Sequence, residues 1–157
     1  MFYLEGVIVM EIKYIFFNSM PEGSILEEII DLHKRIFGES DDLVKKMEIK
    51  PQLLVNVALN DSQVIGYKIG YELDKRKFYS WLGGVDTRFR GHGVASKLME
   101  QQHQYLKENG YRFVQTKTMN KWRSMLILNI KSGFDIISTY TNEKGLHKII
   151  LEKNLVE

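Results

Sequence analysis

Apolar residues recur along this chain with two different periods, and the switches between them outline a fold. Residues 11–17 (EIKYIFF) read as a β-strand. From 24 to 37, Ile25, Ile29 and Ile36 run beside Leu26, Ile30 and Phe37 at near-helical spacing, with Ser24 as a cap and Gly38 as a stop. Residues 41–48 suit a short second helix. The period then changes. Residues 53–59 (LLVNVAL) read as a strand, and Asn60-Asp61 is a turn signal. Residues 63–73 alternate strictly, which puts Ile65, Tyr67, Ile69, Tyr71 and Leu73 on one apolar face. Residues 77–86 (KFYSWLGGVD) predict a further strand. Consecutive strands joined by such short turns imply an antiparallel half-sheet.

Residues 92–108 carry the clearest helical stripe, with Val94, Leu98 and Tyr105 beside Ala95, Met99 and Leu106, and Asn109-Gly110 ends it. Residues 111–118 read as a strand and 121–132 as a helix. Residues 134–140 and 146–153 form a closing strand pair around a turn from Asn142 to Gly145. Pro21 and Pro51 fall at element boundaries. The order β α α β β β α β α β β predicts an α/β fold: a mixed central sheet of about seven strands with helices on both faces. No repeat or linker interrupts it, so residues 1–157 read as one domain, with 1–10 a loose extension, an alternative start at Met10, or a prolongation of the first strand.

Composition narrows the function by exclusion. A net charge of +2 with scattered lysines and arginines gives no electrostatic case for nucleic acid or a membrane surface. The chain has no cysteine, which excludes disulfides, thiolate catalysis and cysteine metal sites and fits a reducing cytoplasm. The apolar start lacks a basic beginning and is broken by Glu5, Glu11 and Lys13, so it reads as neither a signal peptide nor a membrane span. His33, His92, His103 and His147 show no metal-ligand spacing, so no metal is expected.

The informative chemistry lies in Val85-Asp86-Thr87-Arg88-Phe89-Arg90-Gly91-His92-Gly93-Val94-Ala95, where a strand ends and a helix begins just past two glycines. A helix start carries unpaired N–H groups and partial positive charge, and a phosphate satisfies both. Gly91 and Gly93 let the backbone approach an anion closely, and Arg88 and Arg90 add charge beside it. A tight turn that merely needs glycine is the plainer alternative. Ser96 stands where a dinucleotide fingerprint needs its third glycine, and no Gly-Lys-Ser/Thr phosphate loop occurs.

Arg88-x-x-Gly91-x-Gly93-x-Ala95 at a strand-to-helix junction resembles the acetyl-CoA motif of the GNAT superfamily of N-acetyltransferases. A second stretch resembles the same family: a strand ends, Asn120 opens a helix, and Gly133-Phe134 starts the next strand. The resemblance covers nearly the whole chain beyond residue 10 and implies the GNAT fold. It implies acetyl-CoA as cosubstrate, a primary amine as acceptor, direct attack in a ternary complex, and a homodimer, since dimers are common in that family. The backbone amides of Arg90, Gly91, His92, Gly93, Val94 and Ala95, with Ser96 beside them, would cradle the pyrophosphate. Gly83, Gly84 and Val85 would pair with the pantetheine arm. Gly83-Gly84 also suggests a bulge, a close ligand approach or a plain kink, and an N–H near Gly84 or Val85 could polarise the thioester carbonyl.

One departure from the family pattern concerns catalysis. Many members carry a tyrosine four residues before the Gly-Phe pair as general acid, and this chain has Asn129, which can hydrogen-bond the cofactor but cannot deliver a proton. Tyr140 is the candidate replacement acid, against an ordinary surface or core tyrosine. Glu72, on the polar parity of its strand, is the candidate base, against a solvated strand-face residue. Trp122 and Arg123 could touch the cofactor or the acceptor, and Glu39, Asp41 and Asp42 could attract a cationic amine, although each also reads as structural.

Overall fold

The computed structural model describes residues 2–4, 7–9, 11–39 and 42–156. Met10 and Asp41, and the expectations attached to them, lie outside those residues. The strands are β1 (Phe2–Leu4), β2 (Val7–Val9), β3 (Lys13–Phe17), β4 (Leu54–Asn60), β5 (Gln63–Asp74), β6 (Lys77–Val85), β7 (Phe113–Thr118), β8 (Asp135–Thr141) and β9 (His147–Asn154). The helices are α1 (Gly23–Phe37), α2 (Leu43–Glu48), α3 (Val94–Glu108) and α4 (Arg123–Lys131), with a single 3₁₀ turn at Thr87–Phe89. Among the described residues β1 and β2 pair with each other, antiparallel, as a separate two-stranded sheet.

The main sheet has seven strands in the order β3-β4-β5-β6-β7-β9-β8. Every neighbouring pair is antiparallel except β6 and β7, which run parallel. A parallel pair needs a crossover, and α3 supplies it. The expected mixed sheet with helices on both faces is therefore present.

Two cores hold the layers together. On one face, Ile29 and Leu32 of α1 and Leu43 and Met47 of α2 pack on Val55, Val57, Tyr67 and Ile69. On the other, Val94 and Leu98 of α3 cover Ala58 and Ile65, while Met99 and Leu106 pack with Phe78, Val114, Phe134 and Leu151. At about 25 cal/mol per Å² of apolar area removed from water, these two seams supply the main drive for folding. α1 is also tied to β5 by a hydrogen bond from the Val64 N–H to Glu28 Oε1 at 2.9 Å.

Several local expectations are corrected. Tyr67 and Ile69 face α1 as the alternation predicts, but Ile65 and Leu73 do not. Each is the extra residue where the pairing of β5 slips by one, so a β-bulge turns Ile65 toward α3 and leaves Leu73 46% exposed. Ser24 does not cap α1: the helix starts at Gly23 after an extended Glu22, and no side chain caps it. Asn120 does not open α4; it lies in a turn closed by Trp122 N–H to Met119 O at 3.0 Å, and the helix begins at Arg123.

The tightest backbone approach in the sheet is at Gly70. A Cβ there would lie 2.6 Å from the Tyr79 carbonyl oxygen and collide with the Phe78 ring. Neither neighbour can retreat, since Phe78 is 1% exposed and the carbonyl belongs to the paired strand. Gly70→Ala is expected to destabilise the fold by about 2 kcal/mol or more in urea denaturation; a loss below ~0.5 kcal/mol would refute this account of the β5–β6 seam.

Candidate active site

The site begins where two parallel strands separate. β6 pairs with β7 from Lys77 opposite Phe113 to Ser80 opposite Thr116, and there the ladder ends. At the same point the β5–β6 register slips: Leu82 pairs with Ile69 and Ser80 with Gly70, leaving Trp81 as the bulged residue. A bulge bends its strand and adds twist, which swings the end of β6 away from β7. Beyond it, Thr118 of β7 is paired with Ile149 of β9. The β7-facing edge of Trp81–Val85 is thereby released into a cleft of about 670 Å³.

The bulge is therefore at Trp81, and not at Gly83-Gly84. Gly83 and Gly84 pair in regular register with Lys68 and Tyr67. Gly84 is needed for packing, because a Cβ there would lie 2.7 Å from Ile36 Cδ1 of α1 and 3.4 Å from the Tyr67 ring. The Tyr67 hydroxyl is hydrogen-bonded to His33 Nδ1, and burial lowers the His33 pKa.

The cleft ends at the glycine turn. Asp86, 1% exposed, follows β6 and organises the loop. Its carboxylate accepts from the Arg88 N–H at 2.9 Å, from Arg88 Nη2 at 2.8 Å and Nε at 3.2 Å, and from Arg35 Nη1 of α1 at 3.3 Å. Those hydrogen bonds, Arg88's foremost, hold the Asp86 carboxyl well below the usual carboxylate range. Gly91 and Gly93 then adopt φ of 82° and 76°, left-handed values that favour glycine, and nothing stands within 4 Å of where their Cβ atoms would be. α3 starts directly afterwards with no side-chain cap and no acidic residue in its first turn. An uncapped helix start aimed at open space is a donor-rich, positively polarised surface.

The structure gathers most of the expected binding residues and scatters the expected catalytic ones. Gly83, Gly84, Val85, Arg90, Gly91, Gly93, Val94, Ala95, Ser96 and Asn129 all line the cleft. Arg90 reaches back to the Val85 carbonyl through Nε at 3.3 Å. Arg88 instead grips Asp86, His92 is an exposed residue of the turn, and Asn120 is exposed in the turn before α4. Trp122 and Arg123 line the cleft, and Trp122 meets Phe37 of α1 edge-on at 5.8 Å across its rim. Glu72 lies elsewhere, accepting a hydrogen bond from the Tyr111 hydroxyl at 2.8 Å. Tyr140 is 40% exposed on the edge strand β8, with Lys117 Nζ 5.5 Å from its ring centroid.

Sequence reasoning passed over Lys68. It lies on β5 opposite Gly83, is 7% exposed, and lines the cleft. No hydrogen bond or ion pair is made to it among the described residues, and burial pushes its pKa down to about 8. A signal was available: Lys68 stands between Gly66 and Gly70 on one strand face, and small residues two apart on either side mark a face closely covered by packing. Among the described residues no group of three or more His, Asp or Glu could hold a metal ion, and no helix is long and apolar enough to cross a membrane.

The sequence model of the acetyltransferase (GNAT) family matches residues 25–123, which run from α1 to the first residue of α4. Solved structures of low identity share the fold. A GNAT family acetyltransferase from Staphylococcus aureus Mu50 is 18% identical with a TM-score of 0.78, over 92% of this chain and 99% of that one. One from Elizabethkingia anophelis, with acetyl-CoA bound, is 17% identical with a TM-score of 0.75, over 91% and 97%. The ribosomal-protein-S18-alanine N-acetyltransferase of Escherichia coli is 12% identical with a TM-score of 0.77, over 92% and 96%. No curated protein matches the chain.

A cation on a largely buried side chain with no carboxylate partner is a burden on the fold. The drop of the Lys68 pKa from 10.5 to about 8 corresponds to on the order of 3 kcal/mol. Below about pH 8 Lys68 is charged in both states and the burden is full; above 10.5 it is neutral in both and the burden is gone. Lys68→Met should therefore stabilise the protein at neutral pH, and its advantage over wild type should shrink as pH rises from about 8 toward 10.5. Paired urea titrations across that range check both statements.

Proposed function

The chain belongs to the acetyltransferase (GNAT) family, and on that premise we propose that it transfers an acetyl group from acetyl-CoA to a primary amine by direct attack in a ternary complex. The observation that carries the reading is the parting of β6 from β7 into a cleft that ends at an uncapped helix start with two left-handed glycines. In this reading the N–H groups from Arg90 to Ala95 hold the pyrophosphate, with the Arg90 guanidinium beside it. The pantetheine arm takes the β7-facing edge of Gly83–Val85, adding itself where a strand would have paired. The acceptor enters from the α1 side, past Phe37, Trp81 and Trp122.

The chemistry is aminolysis of a thioester. An ordinary alkylamine is mostly ammonium at neutral pH, so the acceptor first loses a proton to solvent. Its nitrogen lone pair then attacks the carbonyl carbon, the tetrahedral oxygen takes the displaced electron pair, the nitrogen releases its second proton to solvent, and collapse breaks the C–S bond with the electron pair leaving on the CoA sulfur. No covalent enzyme intermediate is needed, and the chain has no cysteine to form a thioester. The absence of cysteine also suits a reducing cytoplasm. Asn129 in place of the family's tyrosine favours a second reading, a non-catalytic acyl-CoA-binding module.

Calorimetric titration with acetyl-CoA, desulfo-CoA and, as control, NAD tests the proposal. Both CoA ligands are expected to bind in the micromolar range and NAD not at all. Gly93→Glu, which pushes a carboxylate into the anion site, should abolish binding while far-ultraviolet circular dichroism remains folded. Arg90→Glu should weaken binding about tenfold or more. A wild type that ignores CoA would sink the proposal. Tight binding with no thiol release across a broad panel of amines would favour the non-catalytic reading.

A further inference from the structure

We propose that Lys68 is the general acid of the reaction, donating a proton from its ammonium to the CoA sulfur as the C–S bond breaks. The inference rests on the acetyl-transfer reading above and supplies the proton that Asn129 cannot.

The geometry points to Lys68 through its place in the sheet. Lys68 sits opposite Gly83, and its Cγ would lie 3.7 Å from a Cβ at that glycine. Its side chain therefore lies against the stretch of β6 that the parted ladder exposes. It shares the cleft with Asn129 of α4, Ser80 of β6 and Thr116 of β7. Buried lysines are ordinarily neutralised by a carboxylate. Lys68 has no such partner, and desolvation alone accounts for the change in its proton affinity.

The groups around it leave it free to act. The titratable neighbour on α3 is His103, whose pKa is pushed down to about 3 by burial and by Lys153, Lys68 and Lys107. His103 is therefore neutral, and Lys153 of β9 approaches its Nδ1 at 3.4 Å. Across β4, Asn56 stands opposite Lys68 with its Oδ1 unpartnered, and it carries no charge. The field at Lys68 thus has no negative source of its own, and a thiolate forming in the cleft would be the first.

The proton balance closes. The acceptor nitrogen forms the new C–N bond and gives up one proton to water. The C–S electron pair departs with sulfur, Lys68 transfers one proton to it, and CoA leaves as the thiol. The neutral Lys68 amine then regains a proton from water. An ordinary thiol titrates near ~8.5 and Lys68 near 8, so the transfer is close to thermoneutral, where a general acid works best.

The test reads the thiol directly and needs no acceptor. CoA bound to wild type and to Lys68→Met is titrated with base while thiolate absorbance is followed. Wild type is expected to show a thiol dissociation constant at least tenfold larger than the variant, with CoA affinity in the two proteins within about threefold. Lys68→Arg, which keeps the charge, should retain most of that increase. On an accepted amine, Lys68→Met should lower kcat by ~10²-fold, leave KM for acetyl-CoA little changed, and lose the alkaline fall of the wild-type profile. Equal thiol ionisation in wild type and Lys68→Met, with CoA bound normally, overturns the role of Lys68 alone. A wild type that fails to bind CoA overturns the acetyl-transfer reading and this inference together.

Discussion

The site depends on one backbone constraint: a β-strand that loses its neighbour must find other partners for its N–H and C=O groups. β6 and β7 share only four paired positions, from Lys77–Phe113 to Ser80–Thr116. The bulge at Trp81 falls where that ladder stops, and its added twist carries the rest of β6 away. A parted strand in the middle of a sheet presents the same row of unpaired groups as an outer edge, but inside a cleft it is open only to something slender and extended. The pairing of β7 with β9 up to Thr118 and Ile149 keeps the other wall rigid. The opening is thus built from two strands, each fixed on its far side.

The loop that closes the cleft is held by contacts distant in sequence. Asp86 is nearly excluded from water and joins Arg88 two residues on with Arg35 of α1, 51 positions earlier. A buried carboxylate is tolerable when such hydrogen bonds surround it. Because Asp86 occupies the Arg88 guanidinium, the turn at Gly91–Gly93 offers the cleft its backbone donors and Arg90, and Arg88 acts as scaffold. Gly84 serves the same fixing: without a side chain it admits Ile36 of α1 against β6, so the α1 wall of the cleft and the exposed strand edge keep one spacing.

Much of this was legible in the sequence because it depends on period and punctuation. The helical stripe of α3, the Asn109-Gly110 stop and the strand–glycine–helix junction are local signals, and each stands where its residues put it. What was not legible depends on pairing across the sheet. The alternation from Ile65 to Leu73 is unbroken in sequence, yet two register slips, at Ile65 and Leu73, remove both ends from the face that period assigns them. Trp81 carries no mark of being a bulge, and Gly83-Gly84, which look like one, are regular. Glu72 has the parity of a cleft residue, but the cleft opens only beyond Ser80, and Glu72 pairs with Phe78 below that point, within reach of Tyr111.

Lys68 shows why such sites resist pattern reading. On a strand with one face in solvent a lysine at the polar parity is unremarkable, and only the second helix layer turns it into a buried charge. Its neighbours do nothing to relieve it: Asn56 and Ser80 are neutral, and His103 is driven to its neutral form. A fold selected for stability alone would replace the ammonium with an apolar side chain of similar length. The cation instead stands against the released strand edge, where the proposed reaction would generate negative charge on sulfur. A preorganised charge in a low-dielectric cleft stabilises that developing charge without waiting for solvent to reorient. In the proposed reaction, the destabilisation of the resting protein and the stabilisation of a departing thiolate are two sides of the same unbalanced charge: the cation that burdens the empty cleft is relieved when negative charge forms beside it.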